Sequence, residues 1–524
     1  MSKAAKLAKV SARGSFHMLW GMVASTAISA VGTIIVANIL GATNYGLFTI
    51  ALVAPSLISL FSDWGVTGAL VKYTAQYNAE DKAANIRSVF TAGILFETVS
   101  GVTLSVVAFL LSGRLATLYS LPNITPLIQI CSFSILTGAL LSTAQSAFTG
   151  VEKLNLRSVT LVCQSIVKTI VSPVLVIVGL GPLGAVIGYQ TSLLIAGLIG
   201  ILLMWTIYRT LPKPANNKLE IIATIKNLFN YGLPNQIANF ISSFQGQFYA
   251  FILPIFARPD LIGNYGIANT VAILISFVSV PIAIVLFPAF SKFDPIKDRE
   301  ALQNAYQFSV KYASLFVVPA AAIVMTLSVQ GISVLFPGKY SAAPLFLSLL
   351  AINSLFAVFG FLSNGSLILG QGETKFNLKL TIIGAAVGFP LGVVLISQFG
   401  VIGLIITNLT VGLPSTVIAL RWMRKQYGVT INWTSSAKIL LSSATASVAT
   451  YTVISIIPLG DWFKLIIGAI IFSVVLVIVT LLTRTIDRTD IDNLREMLTE
   501  LGPFRGLFNF LLNIIEKLMT HLQR

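Results

Sequence analysis

Three ionisable side chains inside long apolar stretches are the residues of this chain best placed to do chemistry: Asp63, Glu97 and Lys168. A charge held within hydrocarbon is expensive and usually functional. Asp63 stands nine residues before Lys72, about 13 Å from that basic end at 1.5 Å per residue. Glu97 and Lys168 fall near the middles of their stretches. Two carboxylates tempered by one ammonium suit a proton or sodium ion, because their charge can change or be neutralised during a cycle. Two blander readings stand beside this one. Lys168 pairs with Glu97 and locks the structure, or Ser62-Asp63, ahead of Gly65, caps a broken half-helix. A fourth charge, Lys311, lies about six residues into its stretch and can snorkel to the surface.

A second group is polar without charge. Asn235, Asn239, Ser242 and Gly246 recur at helical spacing and share one face, in a run that also holds Gln236, Ser243, Gln245 and Gln247. Amides and hydroxyls facing a water-filled cavity are what sugar hydroxyls need. Interhelical hydrogen bonding is the alternative. Asn353, Ser363 and Asn364 form a sparser set further on.

The elements that must position these residues are membrane spans. Apolar residues make up 56% of the 524 and charged residues only 10%, against the quarter or so that a soluble surface requires. Apolar stretches of about 20 residues, enough to cross a ~30 Å hydrocarbon core, recur throughout. Segments of alternating polarity, which a membrane barrel would show, are absent. The expected fold class is an all-α polytopic membrane protein with fourteen transmembrane helices. The first six spans fall near 14–38, 45–71, 88–111, 124–149, 157–179 and 183–208. The next six fall near 228–256, 262–290, 305–329, 341–369, 377–397 and 400–421, and a last pair near 437–457 and 461–483.

The first twelve spans read as one passage written twice, about 220 residues apart. Asn44-Tyr45-Gly46 recurs as Asn264-Tyr265-Gly266, Lys72 falls on Lys292, and Gly150 on Gly370. Gly181 and Gly184 fall on Gly400 and Gly403. Six helices per copy is an even number, so the copies have the same orientation and form two six-helix lobes about an axis along the membrane normal. The buried charges break this symmetry: Asp63 falls on Ala283, Glu97 on Val317, and Lys168 among Val387 to Pro390. The expected organisation is a lobe over 1–210, a cytosolic linker over 211–226, a second lobe over 227–425, helices 13 and 14 within 426–484, and a cytosolic amphipathic tail over 485–524.

Lys and Arg set the orientation. With both termini in the cytosol, the inner connections hold about 28 basic residues and the outer ones 4. The net charge of +16 is thus a topology signal, needing no nucleic acid, though it also favours anionic headgroups. The expected place is the cell membrane. The first apolar run is too long for a cleavable signal peptide and has no small-residue cleavage site after it.

Several chemistries are disfavoured. The outer connections carry Asp260 and Asp461 as their acidic residues and no His, too little for an outer-face glycan polymerase or transferase. Cys131 and Cys163 both fall inside spans and read as small apolar residues, not as a disulfide or metal site. Nucleophile elbows and phosphate-binding glycine loops are missing. No catalytic residue, metal or organic cofactor is therefore expected, and a proton or sodium ion is the coupling species to consider.

The passage "ANILGATNYGLFTIALVAPSLISLFSDWGVTGALVKYTAQY" (Ala37 to Tyr77) resembles the opening signature of the Wzx-type polysaccharide flippases, in the multidrug/oligosaccharidyl-lipid/polysaccharide exporter superfamily. The signature is carried by Leu40-Gly41, Tyr45-Gly46, Asp63-Trp64-Gly65 and Lys72, with Trp64 where family members usually have Leu. "GVEKLNLRSV" (Gly150 to Val159) fits as well, and the resemblance covers roughly residues 10–425. It implies two lobes forming a V, with spans 1, 2, 7 and 8 lining a cavity. It implies movement of a polyprenyl-phosphate- or pyrophosphate-linked oligosaccharide from the inner to the outer leaflet by alternating access. Basic residues then hold the lipid phosphate, here Lys72 and Lys292 at equivalent span ends, with Arg87 and Lys311 nearby; both lysines also fit plain positive-inside flanking. The implied partners are the lipid-linked glycan, the bilayer and glycan-assembly enzymes, with the protein itself monomeric. A cation-coupled drug exporter of the same fold is the second expectation.

Overall fold

The computed structural model describes residues 3–212, 221–499, 513, 516 and 517. Side chains 3–17, 19, 234, 235, 280, 281, 284, 285, 494 and 496–499 fall outside that description. So do half of the expected linker, including Lys213 and Lys218, and most of the tail beyond Thr499.

Every regular element among the described residues is a helix. Nine helices among the described residues are long and apolar enough to cross a membrane, and Ala343–Phe359 with Phe361–Gly370, bent at 52°, makes a tenth candidate. Three of the nine, Trp20–Asp63, Leu154–Thr210 and Thr374–Tyr427, run 44, 57 and 54 residues, roughly twice what a bilayer needs. Each is interrupted where glycine takes a positive φ: Gly41, Gly179 with Gly181, and Gly400. The chain doubles back at two of these breaks. A Cβ on Gly184 would lie 2.8 Å from the Leu175 carbonyl carbon, and Gly403 presses on the Leu395 carbonyl in the same way.

The structure divides into two compact units, one of Met1–Ile267 with Thr381–Thr407, the other of Ala268–Leu380 with Asn408–Arg524. The first unit contains α1 (Lys3–Asp63), α2 (Val66–Ala79), α3 (Ala83–Leu118), α4 (Thr125–Ser132), α5 (Ser134–Gly150), α6 (Leu154–Leu175), α7 (Gly181–Thr210), α8 (Ile221–Phe256) and the start of α9 (Pro259–Phe290). α6 packs along α1 and α7, and α5 along α3 and α7. Val66, Leu70, Phe90, Phe148, Met204 and Leu228 join α2, α3, α5, α7 and α8 in one apolar core. Gly46 and Gly263, in or beside the repeated Asn-Tyr-Gly passages, let two backbones touch: each glycine stands against the chain bearing the other, at Pro259 and at Ala42.

The second unit contains the rest of α9, α10 (Arg299–Thr326), α11 (Ser328–Leu335), α12 (Ala343–Leu355), α13 (Phe361–Gly370), the two ends of α14 (Thr374–Tyr427), α15 (Trp433–Ile456), α16 (Asp461–Leu482) and α17 (Arg488–Thr499). Phe290, Leu302, Tyr306, Leu367, Met423 and Tyr427 fill its main core. α15 and α16 pair with each other and with α10. The turn closing α13 repeats the one closing α5: Glu373 N–H donates to the Ile368 carbonyl (3.0 Å) as Lys153 N–H does to Phe148 (2.9 Å). The residue before each, Gly372 and Glu152, takes a positive φ.

Candidate functional site

The second expected span does not run unbroken from 45 to 71. It breaks at Trp64 (φ 47°) and Gly65 (φ 85°), separating α1 from α2. Gly65 adopts the left-handed conformation without steric cost, whereas Trp64 is held there under strain. Asp63 caps the new helix. Its Oδ1 accepts the Thr67 backbone N–H (2.8 Å) and its Oδ2 the Thr67 hydroxyl (2.7 Å). Glycine is needed at the break for a second reason: α8 crosses there with Gly232, and a Cβ on Gly65 would lie 2.5 Å from the Gly232 carbonyl.

Glu97 reaches the same point from α3. It is 1% exposed, and the Asp63 carboxylate is its charged neighbour. Ser100, one turn on, donates to the Ser62 carbonyl at 2.9 Å and fixes α3 beside the break. Glu97 Oε1 has no hydrogen-bond partner among the described residues. The two carboxylates singled out from sequence are therefore brought together, and the capping role of Asp63 holds as well.

Lys168 does not join them. It lies on α6, flanked by Ser165, which bonds Ser25 at 2.6 Å, and Thr169, which donates to the Ile28 carbonyl at 2.8 Å. No carboxylate pairs with it among the described residues, so the expected Lys168–Glu97 pair is corrected. Matching depth in two spans says nothing about the direction in which each side chain points.

The basic candidates separate into different environments. The Lys72 ammonium, half-buried, lies 3.9 Å from the Tyr73 ring centroid and 4.4 Å from that of Tyr231 on α8. Tyr73 stacks on Tyr77 and meets Tyr231 edge-on. Ring quadrupoles stabilise the cation by about 0.5–2 kcal/mol but leave its charge uncompensated. Lys82 contrasts with it. Glu80 holds Lys82 at 2.7 Å, and that bond keeps the Glu80 carboxyl below the usual carboxylate range. Lys292 is exposed beyond the end of α9. Arg87 donates to the Leu211 carbonyl at 3.2 Å and faces the Tyr208 ring, on the α3–α7 side of the unit.

Lys311 departs furthest from expectation. It neither snorkels nor stands ready for a phosphate, because Asp490 of α17 holds its ammonium at 2.5 Å. The side chains are 15% and 2% exposed. Tyr312 donates to the same carboxylate at 3.1 Å, and the Asp487 N–H at 2.9 Å. An unpaired ammonium at that depth would be costly, and the tail helix supplies its counter-charge.

The polar face of α8 is partly open. Asn239 and Ser242 are exposed, Gly246 has open space where a Cβ would go, and Asn239 bonds Gln236 at 3.3 Å. The Asn235 side chain lies outside the described residues. Ser363 and Asn364 are used up in packing, on Ser309 at 2.9 Å and Tyr306 at 2.6 Å.

Sequence reasoning missed an aromatic column. Phe240, Phe244 and Phe248 stack up α8 at 6.0 and 6.2 Å. Trp64 stacks on Phe240 at 6.1 Å, and Phe389 closes on Phe248 at 5.4 Å. The four-residue spacing of these phenylalanines was the available signal.

With this geometry in view, the comparisons with other proteins give first the fold and then the family. The structure of a lipid II flippase, MurJ, in an inward closed conformation is similar at a TM-score of 0.71 and 15% identity, over 89% of this chain and 98% of that one. An inward-facing multidrug resistance MATE family transporter of the MOP superfamily is similar at 0.61 and 15% identity, over 77% and 94%. Those identities show a shared fold. Two proteins of Methanocaldococcus jannaschii, Uncharacterized membrane protein MJ1068 and Uncharacterized membrane protein MJ1375, are each 22% identical, over 75% and 78% of this chain and 80% and 98% of theirs. The family described as Polysaccharide biosynthesis protein matches residues 11–294, more than half of the sequence, and the chain belongs to that family. It is a multi-pass membrane protein.

Proposed function

We propose that this protein is a flippase that carries a polyprenyl-linked oligosaccharide from the inner to the outer leaflet of the cell membrane by alternating access, for cell-surface glycan assembly. The observation that carries the reading is Lys72: a half-buried ammonium on two tyrosine faces, with no carboxylate partner among the described residues. A phosphate or pyrophosphate is the anion such a site lacks. Lys292, at the matching position of the second repeat, plays the same part. The open amides and hydroxyls of α8, at Asn239, Ser242 and, by spacing, Asn235, receive the glycan.

The fourteen-span, two-lobe architecture belongs to this proposal. Three of the nine long helices divide at their glycines, and the bent pair and α8 supply the rest. The matching turns after α5 and α13, and the matching contacts of Gly184 and Gly403, support the repeat. The lobe limits 1–210 and 227–425, the appended pair within 426–484 and cytosolic termini are retained with it. The protein acts as a monomer alongside glycan-assembly enzymes.

Asp63 and Glu97 are the coupling pair in this scheme. Two neighbouring carboxylates repel, and a proton or sodium ion between them removes the repulsion. The pair sits where α1 breaks into α2, so occupancy of the pair and the angle of the break are linked. The same pair favours the second reading, a cation-coupled exporter of small molecules. The deciding experiment follows lipid-linked glycan in cells that lose the protein. Accumulation in the inner leaflet is expected; normal flipping, in a host with no paralogue, overturns the flippase reading.

A further inference from the structure

We propose that a groove between α3 and α7 binds an anionic glycerophospholipid of the surrounding bilayer, with the phosphate on Arg87 and Arg209 and the chains below. α3 and α7 both pack on α5 and leave between them a cleft of about 480 Å3. Its walls are mainly Ile94, Leu95, Ile201, Met204 and Trp205. Each of two arginines faces an aromatic ring that lines it, Arg87 the Tyr208 ring and Arg209 the Trp205 ring. Arg87, near the start of α3, bonds the Leu211 carbonyl just past the end of α7, and Arg209 lies 3.5 Å from the Trp205 ring centroid. Neither has a carboxylate partner among the described residues. A guanidinium carries five donors, and the carbonyl takes one from Arg87. Two arginines close to aromatic rings and short of an anion match a phosphate diester.

The dimensions suit one leaflet. From Arg87 to Thr98, the far lining residue on α3, is eleven residues, about 17 Å of helix. Half of a ~30 Å hydrocarbon core is about 15 Å. Leu95 and Trp205 remain 45% and 46% exposed, so the groove opens outward to whatever surrounds the protein. It is also separate from the carboxylate pair. Leu95 and Glu97 are two positions apart, about 200° around α3. A lipid-linked glycan shares the phosphate and apolar chain, but this lining gives a sugar only the Thr91, Thr98 and Tyr208 hydroxyls and the Trp205 N–H, and Thr91 and Tyr208 already bond each other. The proposal stands whether or not the protein is a flippase.

The test is native mass spectrometry of the full-length protein in detergent, with phosphatidylglycerol or phosphatidylcholine added at equal concentration. Phosphatidylglycerol should be retained in preference. Arg209→Gln should weaken that retention about tenfold, the loss expected for a charge-assisted hydrogen bond, with an unchanged unfolding midpoint in the absence of lipid. Leu95→Trp, which fills the groove without altering charge, should also displace the lipid. Equal retention of the two lipids, or equal phosphatidylglycerol retention by wild type and both variants, overturns the proposal. Displacement of phosphatidylglycerol by equimolar polyprenyl phosphate also overturns it, and assigns the groove to the substrate.

Discussion

Gly65 at the break after α1 and Gly232 on α8 meet backbone against backbone, each occupying the space a Cβ on the other would need. Gly232→Ala therefore introduces a clash that backbone movement alone relieves. We expect a loss of about 1–3 kcal/mol, the usual cost of overpacking. Gly65→Ala adds the strain of a left-handed φ and should cost more. Thermal unfolding in detergent reads both. An unchanged midpoint for Gly232→Ala would mean that the crossing is looser than described.

Asp63 and Glu97 are separable by isosteric change. Asp63→Asn keeps an oxygen for the Thr67 N–H and Glu97→Gln keeps the shape of the buried side chain. Both should abolish or strongly slow transport while leaving folded protein in normal amount. Asp63→Ala should cost a further ~1 kcal/mol of stability through loss of the cap. Wild-type transport by Glu97→Gln would reduce that residue to a structural partner.

Lys72 offers a graded test. Lys72→Gln should weaken binding of polyprenyl phosphate about tenfold or more, whereas Lys72→Arg should retain most of it. Tyr231→Leu should have a smaller effect, two- to fivefold, on the scale of one exposed cation–π contact. Equal affinities across all three would leave Lys72 as an ordinary basic flank.

The Lys311–Asp490 pair makes the tail helix part of the structural core of its unit. Asp490→Asn should destabilise by about 3 kcal/mol, because it leaves a largely buried ammonium with only the more distant and exposed Asp487 carboxylate, at 4.0 Å. Lys311→Met with Asp490→Leu should recover most of that loss. If the double variant is as unstable as the single one, packing of α17 and not charge is responsible.

What was legible in the sequence was which helix carries a residue, and what was not was the direction in which it points. Hydropathy placed Asp63, Glu97 and Lys168 on long apolar helices, and the open face shared by Asn239 and Ser242 followed from helical spacing. Which spans are neighbours, and how each is rotated, comes from packing over many residues. So Glu97 finds Asp63 and not Lys168. Arg87 turns to Tyr208, and the partner of Lys311 waits 179 residues downstream. Breaks were signalled only locally: glycine at 65 and 400 marked them, yet nothing in the apolar run before Trp64 says that a helix must stop there.

The distance along the chain between Lys311 and Asp490 has a consequence for how the protein is made. Those 179 residues take a ribosome roughly 10–40 s to add at about 5–20 residues per second. α10 leaves the translocation machinery with its ammonium unmatched and must shelter it at the interface for that long. Its final seating therefore waits on the arrival of Asp490. A chain stalled before that point holds this basic group at the interface with α10 not yet seated, a state open to quality-control proteases.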